Sequence, residues 1–229
     1  MTRLAYTLLL VRNVCWILVE DAPAKTADVE QFMVHLKSLI EKKKSSLRLV
    51  QLNVPTPTEI KLKPKEARWR KPRGVLQRNH GLSWIRDHIF KLDADGVIYF
   101  ADDDNTYDVR LFEEMRDTKK VSCWPVALVG GRLVEKPLVI NGQVIGFDAW
   151  KPKRKYAMDM AAFAINVHLF KRHPGAQFSL VSRRGFLEED FLNQLIAGRE
   201  ELEPKANQCT SVFVWHTRTE AFTPVQPAT

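Results

Sequence analysis

The stretch VIYFADDDNTY, residues 97–107, joins a short apolar run to three consecutive aspartates. Its first five residues are apolar or aromatic, which is typical of a strand buried on both faces in the middle of a parallel sheet. The run ends at Asp102, Asp103 and Asp104, whose carboxylates repel one another unless a cation or hydrogen-bond donors stabilise them. Because open α/β sheets bind ligands beyond the carboxyl ends of their strands, we interpret this acidic triplet as a site for Mg²⁺ or Mn²⁺ and a nucleotide phosphate. The alternative is a solvated acidic turn.

Alternating helices and strands lead up to the acidic triplet. The hydrophobic pattern predicts helices at residues 3–12, 29–43 and 75–90, and strands at residues 13–19, 47–54 and 97–101. This alternation is typical of a nucleotide-binding half-domain with a parallel sheet, which we assign to residues 1–104.

The remaining residues, 105–229, predict a second half built on a mixed sheet. Strand patterns occur at residues 121–129, 139–144, 160–167 and 212–216, and a helix is predicted within residues 185–198. Asn141 and Gly142 are a strong signal for a two-residue hairpin turn. We treat the two halves as one continuous domain with a binding site between them.

The composition fits a single α/β domain with an anionic partner. The chain has 229 residues, of which 45% are hydrophobic, and this is enough for a proper core. The formal net charge is +8 and the pI is about 9.4, which suits nucleic acid, anionic membranes or acidic glycans. Outside residues 61–73 and 151–155 the basic residues are scattered, and no nucleic-acid-binding motif is present. We therefore favour an anionic sugar nucleotide and expect no nucleic acid.

The cysteines and the apolar runs give further expectations. Cys15, Cys123 and Cys209 are an odd number without metal-binding spacing. The first two lie in predicted strands, where we expect buried thiols, and one disulfide stays open as an alternative. The apolar runs at residues 4–10 and 14–19 are too short to span a bilayer, and no signal-peptide cleavage pattern follows them.

The predicted helix at residues 75–90 carries an arginine within its apolar stripe. Arg78 falls in the same sector as the apolar residues Val75, Leu82, Ile85 and Ile89. A guanidinium on a buried face needs an anionic partner. Arg78 therefore makes a structural ion pair, or it binds a pyrophosphate or the acidic triplet.

Three consecutive carboxylates near residue 188 are candidates for a general base. The apolar face of the predicted helix consists of Leu187, Phe191, Leu192, Leu195 and Ile196. Glu188 lies at the centre of this face, Glu189 at its edge and Asp190 opposite it. A carboxylate on an apolar face should have a raised pKa and act as a better base near neutral pH, so we predict Glu188 as the base. A glutamate that only complements the helix dipole is the alternative, and it fits Glu189 and Asp190 better.

Blocks of sequence along the chain resemble the β-1,3-glucuronosyltransferases, Golgi enzymes that transfer glucuronic acid from UDP-glucuronic acid to a terminal galactose. The blocks follow the family's order and cover nearly the whole chain. They are WILVEDA (16–22), PRGVLQRN (72–79), GVIYFADDDNTYDVRLFEEMR (96–116), WPVALVGG (124–131), DMAAFA (159–164), GFLEED (185–190) and VWHTRTE (214–220).

The resemblance implies an α/β, GT-A-like nucleotide-diphospho-sugar transferase fold. Residues 1–104 would form a Rossmann-like half that binds the UDP-sugar donor, and residues 105–229 a mixed-sheet half for acceptor binding and catalysis. The reaction would be an inverting transfer to the 3-hydroxyl of galactose, on the proteoglycan linker Gal-Gal-Xyl or another glycan, with Mn²⁺ as cofactor. The family forms homodimers in the Golgi lumen. Its transmembrane anchor, stem and first strand precede the part that this chain matches, so we expect the strand at residues 13–19 to have an unpaired edge.

The resemblance also implies roles for individual residues around the donor. Asp104 binds the metal, while Asp102 and Asp103 face the ribose and the surroundings of the metal. Asp21 reads the uracil, and the family's catalytic glutamate falls on Glu188, in agreement with the helical-face argument. As donors to the diphosphate we name Arg73, Arg78, His216 and Arg218, and the resemblance favours this role for His216. Without the resemblance, His216 would be interpreted as an ordinary histidine at a strand end.

Further matches lie on the sugar and acceptor side. Arg154 and Asp159 match positions that contact the transferred glucuronate or its surroundings, and Arg154 is otherwise one more charge in a basic run. Glu135 and Trp150 match acceptor-side positions. Gln226 lies where the family's tail reaches into a partner subunit.

One departure and two competing hypotheses accompany this interpretation. DMAAFA replaces the family's usual DMAGFA, which adds a methyl group at Ala162. The second hypothesis is a truncated or catalytically impaired family member that acts as a partner subunit, although the acidic triplet, the base and the phosphate donors are retained. A basic nucleic-acid-binding module is a distant third.

Overall fold

The computed structural model describes residues 1–61, 73–90 and 95–219, and it confirms the predicted α/β class. The helices are α1 (Thr2–Leu8), α2 (Ala27–Lys43), α3 (Val75–His88), α4 (Val109–Glu114), α5 (Val167–Arg172), α6 (Leu187–Leu192) and the single turn α7 (Ala206–Cys209). The strands are β1 (Cys15–Glu20), β2 (Arg48–Asn53), β3 (Val97–Tyr99), β4 (Thr106–Tyr107), β5 (Val121–Cys123), β6 (Val126–Val129), β7 (Arg132–Ile140), β8 (Gln143–Asp148), β9 (Phe163–Asn166), β10 (Leu202–Pro204) and β11 (Val214–Trp215).

A parallel pair of strands begins the fold. β1 and β2 are aligned over their full lengths, with α2 as the crossover between them. α3 lies against β1, where a Cβ added at Gly81 would come within 3.7 Å of Val19. In the described part of the chain β1 pairs with β2 alone. Because the two strands are parallel, the residues that follow Glu20 and Asn53 lie at the same edge.

β3 is an edge strand, and this corrects the prediction of a central strand in a parallel sheet. Among the described residues the order of its sheet is β10-β5-β9-β3, and β3 pairs antiparallel with β9. Of the three residues in the strand, only Ile98 is buried. Phe100, just beyond the strand, packs edge to face on Phe178 and Phe191 with ring centroids 5.0 and 5.8 Å apart. The apolar character of residues 97–101 therefore reflects, in part, the packing of Phe100 on other aromatic rings and not only burial within a strand.

A five-stranded sheet, in the order β4-β11-β6-β7-β8, forms the rest of the described strand structure. Asn141 and Gly142 make the predicted hairpin turn between β7 and β8, with φ values of 50° and 77°. In the short antiparallel pair of β4 and β11, Thr106 lies opposite Trp215. This pairing brings the residues after Trp215 beside the acidic triplet.

Several predicted elements are shorter or divided in the structure. The strand predicted at residues 160–167 is the shorter β9, because Asp159 caps a 3₁₀ turn at Met160–Ala162 and α5 begins at Val167. The strand predicted at residues 121–129 is two strands, β5 and β6, which belong to different sheets. Trp124 and Pro125 separate them, and proline has no N–H for a continuous ladder. The helix predicted within residues 185–198 is the shorter α6, and the helix predicted at residues 3–12 is the shorter α1.

The core fixes α6 beside the end of β3. The largest fully buried side chains are Trp124, Tyr156, Phe163, Phe170 and Phe191. The Phe191 ring of α6 stacks on Phe178 with centroids 4.1 Å apart, and both rings contact Phe100. The start of α6 is thereby held close to the acidic triplet.

The three cysteines are free in the structure. Cys123 and Cys209 are buried, whereas Cys15 is half-buried, so the expectation of a buried thiol is confirmed for Cys123 and met only in part at Cys15. In the ranges that the structure covers, no helix is long and apolar enough to cross a membrane.

Candidate active site

The three aspartates of the acidic triplet have separate partners. Asp102 accepts a hydrogen bond from Arg78 at 3.1 Å, and Asp103 lies 3.4 Å from the N-terminal amine. The Asp104 carboxylate accepts a long hydrogen bond, 3.4 Å, from the N–H of Thr219. The Arg78 guanidinium relieves part of the repulsion between the carboxylates, and Asp104 keeps most of its lone pairs for a further ligand.

Arg78 connects α3 to the acidic triplet. Its second amino group donates to the Arg73 carbonyl at 2.8 Å, which folds the guanidinium back over the start of the helix. Gly74 has a φ of 69°, and a Cβ there would lie 2.8 Å from the same nitrogen of Arg78. Of the partners considered from sequence, Asp102 of the triplet is the one observed. Arg73 is exposed, and the contact of either arginine with a diphosphate stays a prediction.

The residues after β11 run alongside the triplet. His216 continues the pairing with β6, because its N–H donates to the Ala127 carbonyl at 2.9 Å. The Thr217 hydroxyl donates to the Asp104 carbonyl at 2.6 Å. Arg218 follows and is exposed. The structure thus brings His216 and Arg218, two predicted diphosphate contacts, next to the predicted metal ligand.

His216 faces Asp159. Its Nδ1 is buried, makes no hydrogen bond with the described residues and lies 3.9 Å from Asp159 Oδ1. The Asp159 carboxylate raises the pKa of His216, while burial acts in the opposite direction. At 3.9 Å the attraction is that of an ion pair rather than a hydrogen bond. The carboxylate of Asp159 also accepts the N–H of Ala161 at 3.0 Å, which caps a 3₁₀ turn and fixes its position.

Asp21 lies just beyond β1 and is held by Thr56. Its two oxygens accept the Thr56 N–H at 2.6 Å and the Thr56 hydroxyl at 2.8 Å. Gln77 of α3 donates to the same hydroxyl at 3.3 Å. The carboxylate is therefore rigid and still has lone pairs for another donor. Its contact with uracil stays a prediction.

Glu188 has the environment that the sequence predicts. Desolvation and, secondly, the charge of Asp159 raise the pKa of Glu188 to about 7, while Arg78 and Arg154 act in the opposite direction. The side chain is half-buried, so it keeps some access from solvent while its charged form is destabilised. The Glu188 carboxylate therefore interacts electrostatically with Asp159 and with Arg78 and Arg154, two arginines predicted to bind the donor.

Glu189, the next residue, makes a different contact. Its carboxylate accepts the N–H of Tyr156 at 3.1 Å. Tyr156 is fully buried, and its hydroxyl donates to the Ile196 carbonyl at 3.1 Å. Glu189 therefore anchors a loop to α6.

Glu135 and Trp150 form one structural unit. A carboxylate oxygen of Glu135 accepts the Trp150 N–H at 2.7 Å, and burial raises the pKa of Glu135. Gly130 packs directly against this carboxylate, because a Cβ there would lie 1.9 Å from the same oxygen. Glu135 and Asp159 also line one small pocket, together with Trp124. Two residues predicted from the family resemblance therefore border the same space.

Arg154 joins the loop after β8 to the loop before α6. Its amino groups donate to the Gly185 carbonyl at 2.6 Å and to the Trp150 carbonyl at 2.9 Å. Gly185 has a φ of 74°, and a Cβ there would lie 2.2 Å from the Trp150 ring. Arg154 is only 7% exposed, and its Nε is buried without a partner in the described chain. It is thus not merely one more surface charge, because it links Trp150 to the helix of Glu188.

The donor set of the acidic triplet fits a metal that the protein holds with few ligands. In the described residues no three His, Cys, Asp or Glu side chains are arranged around one point where a metal ion could bind. Mg²⁺ and related hard cations are commonly held by one or two carboxylates, with phosphate oxygens and water completing the coordination. Asp104 is suited to that role. Gln226, the predicted contact to a partner subunit, lies outside the described residues.

Sequence analysis missed three residues that support the site. Thr217 holds Asp104, Thr56 holds Asp21, and Gly185 gives the Trp150 ring its space. The position of Thr217 between His216 and Arg218 was a usable signal. Nothing in the proline-rich segment around Thr56 pointed to a contact with Asp21.

A rigid acidic loop, several cations and a desolvated glutamate therefore meet in a mixed α/β fold. Cationic side chains can bind an anionic substrate, and a carboxylate with a raised pKa can accept a proton near neutral pH. The chain belongs to glycosyltransferase family 43, whose sequence profile matches residues 4–220.

Curated relatives carry a more specific name. The chain is 44% identical over 225 residues to galactosylgalactosylxylosylprotein 3-beta-glucuronosyltransferase I of Drosophila melanogaster, covering 96% of this chain and 71% of the relative. It is 48% identical over 223 residues to the human 3-beta-glucuronosyltransferase 2, covering 96% and 64%, respectively. The sqv-8 enzyme of Caenorhabditis elegans is 43% identical over 222 residues, covering 96% and 60%. The chain thus spans between 60% and 71% of the length of these three relatives.

Proposed function

We propose that this chain is the catalytic part of a β-1,3-glucuronosyltransferase with a GT-A-like fold. It would transfer glucuronic acid from UDP-glucuronic acid to the 3-hydroxyl of a terminal galactose. The observation that carries the proposal is the joining of the predicted donor-binding segments, through the hydrogen bonds from Arg78 to Asp102 and from Thr217 to Asp104. The desolvated carboxylate of Glu188, whose pKa is raised to about 7, supports it as the base. The names of the relatives favour the Gal-Gal-Xyl linker as acceptor, with another galactose-terminated glycan as the alternative.

The proposed reaction needs one base. The Glu188 carboxylate accepts the proton of the acceptor hydroxyl, and the acceptor oxygen forms a bond to C1 of glucuronate. The bond between C1 and the diphosphate oxygen breaks, and UDP leaves with the electron pair. A single displacement of this kind inverts the configuration at C1, which is why one carboxylate suffices.

The leaving diphosphate requires positive charge. Arg73, Arg78 and Arg218 would supply permanent charges, and Asp159 favours the cationic form of His216. Asp21 would accept the uracil N–H, while Asp102 and Asp103 would lie by the ribose and the cation. Thr56 and Arg78 hold Asp21 and Asp102 in place, which reduces the cost of ordering them when the donor binds.

The cofactor in this proposal is Mn²⁺, held by Asp104. When bound, a divalent cation neutralises charge on the departing diphosphate. We expect calorimetry to show Mn²⁺-dependent UDP binding that is lost in Asp104→Ala. Equal UDP affinity in EDTA would exclude the metal assignment.

The sugar and the acceptor would occupy the side formed by β7 and the loops around α6. Trp150 offers an aromatic face for a sugar ring, and Glu135 fixes its backbone. Arg154 keeps donors free for the glucuronate carboxylate after its two backbone contacts, and Asp159 would contact the same sugar.

The cellular setting is also part of the proposal. By its likeness to the family, whose members carry an N-terminal transmembrane anchor, the protein would be a homodimer in the Golgi lumen, and Gln226 would reach into the partner subunit. A catalytically impaired partner subunit is the second candidate, and a direct measurement of transfer separates it from the first.

One assay distinguishes these candidates. Purified protein is incubated with UDP-glucuronic acid and a Gal-Gal-Xyl acceptor, and UDP release and extension of this trisaccharide are measured with Mn²⁺ and with EDTA. We expect acceptor-dependent UDP release with Mn²⁺ only. If the protein binds UDP but transfers glucuronic acid to no galactose-terminated acceptor, the impaired subunit is supported. If it uses another UDP-sugar in preference to UDP-glucuronic acid, the proposed donor is wrong.

A further inference from the structure

Thr217 lies at the junction between two groups of predicted donor contacts. It follows His216 and precedes Arg218, and it sits beside Asp104 because Trp215 pairs with Thr106 across β11 and β4. Residues 104 and 217 are 113 positions apart in sequence, so this junction exists only in the fold.

The Thr217 side chain joins the two segments through its hydroxyl. The hydroxyl donates to the Asp104 carbonyl at 2.6 Å and lies 3.2 Å from the hydroxyl of Thr106, which can donate to it. Arg3 also donates to the Asp104 carbonyl, at 2.6 Å, but from an exposed side chain. Thr217 is half-buried and its χ1 is restricted by β-branching, so its bond is the more rigid of the two.

We propose that Thr217 is a positioning residue that fixes the backbone of Asp104 relative to His216 and Arg218, and thereby sets the affinity for a metal-bound nucleoside diphosphate. The inference rests on the proposed function for the role of Asp104. A ligand held by a metal on one segment and by cations on the other binds best when their separation is fixed in advance. The Thr217 bond fixes that separation at the point where the segments meet.

Thr217→Val tests the hydroxyl, because valine keeps the shape and removes the hydrogen bond. Mn²⁺ is titrated into the protein in the presence of UDP, and the free Mn²⁺ is measured by electron paramagnetic resonance. This experiment measures binding and not activity. We expect the dissociation constant of Mn²⁺ to rise by roughly three- to tenfold, the usual worth of one hydrogen bond. Thr217→Ser keeps the hydroxyl and should restore an affinity close to that of the unsubstituted protein.

Thr210→Val is the matched control. The Thr210 hydroxyl also donates to a backbone carbonyl, that of Asn207, at 2.6 Å, but it lies in another loop. We expect this variant to bind Mn²⁺ and UDP as the unsubstituted protein does. Unchanged affinity in Thr217→Val, equal weakening in Thr210→Val, or equal weakening in Thr217→Ser would each overturn the assignment of Thr217. Failure of the proposed function is distinguishable, because the unsubstituted protein would then show no Mn²⁺-dependent UDP binding, and the inference would fall with it.

Discussion

At the scale of single residues, Glu188 and Glu189 show how two identical side chains acquire different chemistry. Glu188 is desolvated and lies near Asp159, whereas Glu189 accepts a backbone hydrogen bond from Tyr156. A raised pKa makes a carboxylate a better base near neutral pH, while a carboxylate bonded to the backbone serves the fold.

Glu188→Gln should therefore retain UDP affinity and lower kcat by roughly 10²–10⁴-fold, the usual worth of a general base. Glu189→Gln should have a much smaller effect, because its amide oxygen can still accept the Tyr156 N–H. Steady-state kinetics and UDP calorimetry on both variants make the comparison. Similar losses of kcat in the two would refute the assignment of the base.

The pH dependence of activity follows from the same carboxylate. Only the ionised form accepts a proton, and the pKa of Glu188 is about 7, so kcat/KM should rise with pH and level off above that value. Asp159→Asn removes a negative charge that raises the pKa of Glu188, so the acidic limb should move to lower pH. The pH–rate profiles of both proteins test this shift. A limb that stays in place would show that Asp159 does not act on the base.

The stability of the folded state should depend on pH in the opposite direction from the activity, falling as the pH rises. The pKa of Glu188 is about 7 in the folded state and ordinarily 4.5, so the folded state binds the proton more tightly. This stabilising contribution is complete below pH 4.5 and is lost as pH rises to about 7. At pH 8 Glu188→Gln should raise the free energy of unfolding by roughly 1–3 kcal/mol, with little difference at pH 4. Urea denaturation at the two pH values measures it, and a variant that is less stable at pH 8 would contradict the buried-charge argument.

At the scale of elements, the position of α6 depends on the loop that precedes it. Gly185 lies against the Trp150 ring, and its carbonyl accepts a bond from Arg154. The acceptor-side aromatic residue and the helix of the base are therefore parts of one assembly. The predicted UDP contacts belong to other elements, namely α3 and the ends of β1, β3 and β11.

Gly185→Ala tests this division. A Cβ at Gly185 would lie 2.2 Å from the Trp150 ring at a φ of 74°, so the ring and the loop must move. We expect the acceptor KM to rise by roughly tenfold or more, since small misplacements of positioning groups are costly, while UDP affinity stays the same. Gly175→Ala is the control, because a Cβ there meets nothing within 4 Å. If the two substitutions changed the acceptor KM equally, or if Gly185→Ala weakened only UDP binding, Trp150 and α6 would not act together on the acceptor.

At the scale of the whole molecule, the sheets cross the boundary predicted at residue 104. β3 belongs to the first predicted half, yet it pairs with β9 of the second. Elements that share a sheet generally unfold together. The donor site is therefore built on a surface whose stability depends on both halves.

Thermal unfolding should accordingly be a single transition that UDP and Mn²⁺ shift as a whole. At about 100 times the dissociation constant a ligand stabilises the folded state by about 2.7 kcal/mol, which corresponds to roughly 5–10 °C in Tm for a protein of this size. Asp104→Ala should lose most of the shift. Calorimetry that resolved two transitions, with only one moved by the ligand, would show that the halves are independent.

The sequence by itself determined much of this protein, because its strongest signals are local. Hydrophobic periodicity predicted β1, α2, β2 and α3 close to their observed bounds, and Asn141-Gly142 predicted the hairpin. The apolar residues that follow Glu188 suggested its raised pKa, although α6 ends at Leu192, so Leu195 and Ile196 of the predicted apolar face lie beyond the helix.

Only the tertiary structure decided which strands pair and which side chains meet. An apolar run does not specify its partner, and so β3 is an antiparallel edge strand instead of a central parallel one. The bond from Thr217 to Asp104 and the bridge of Arg154 between two loops depend on sheet order and loop packing. Such contacts join residues far apart in the chain, and no local pattern encodes them because their energy is gained only after the intervening elements have packed.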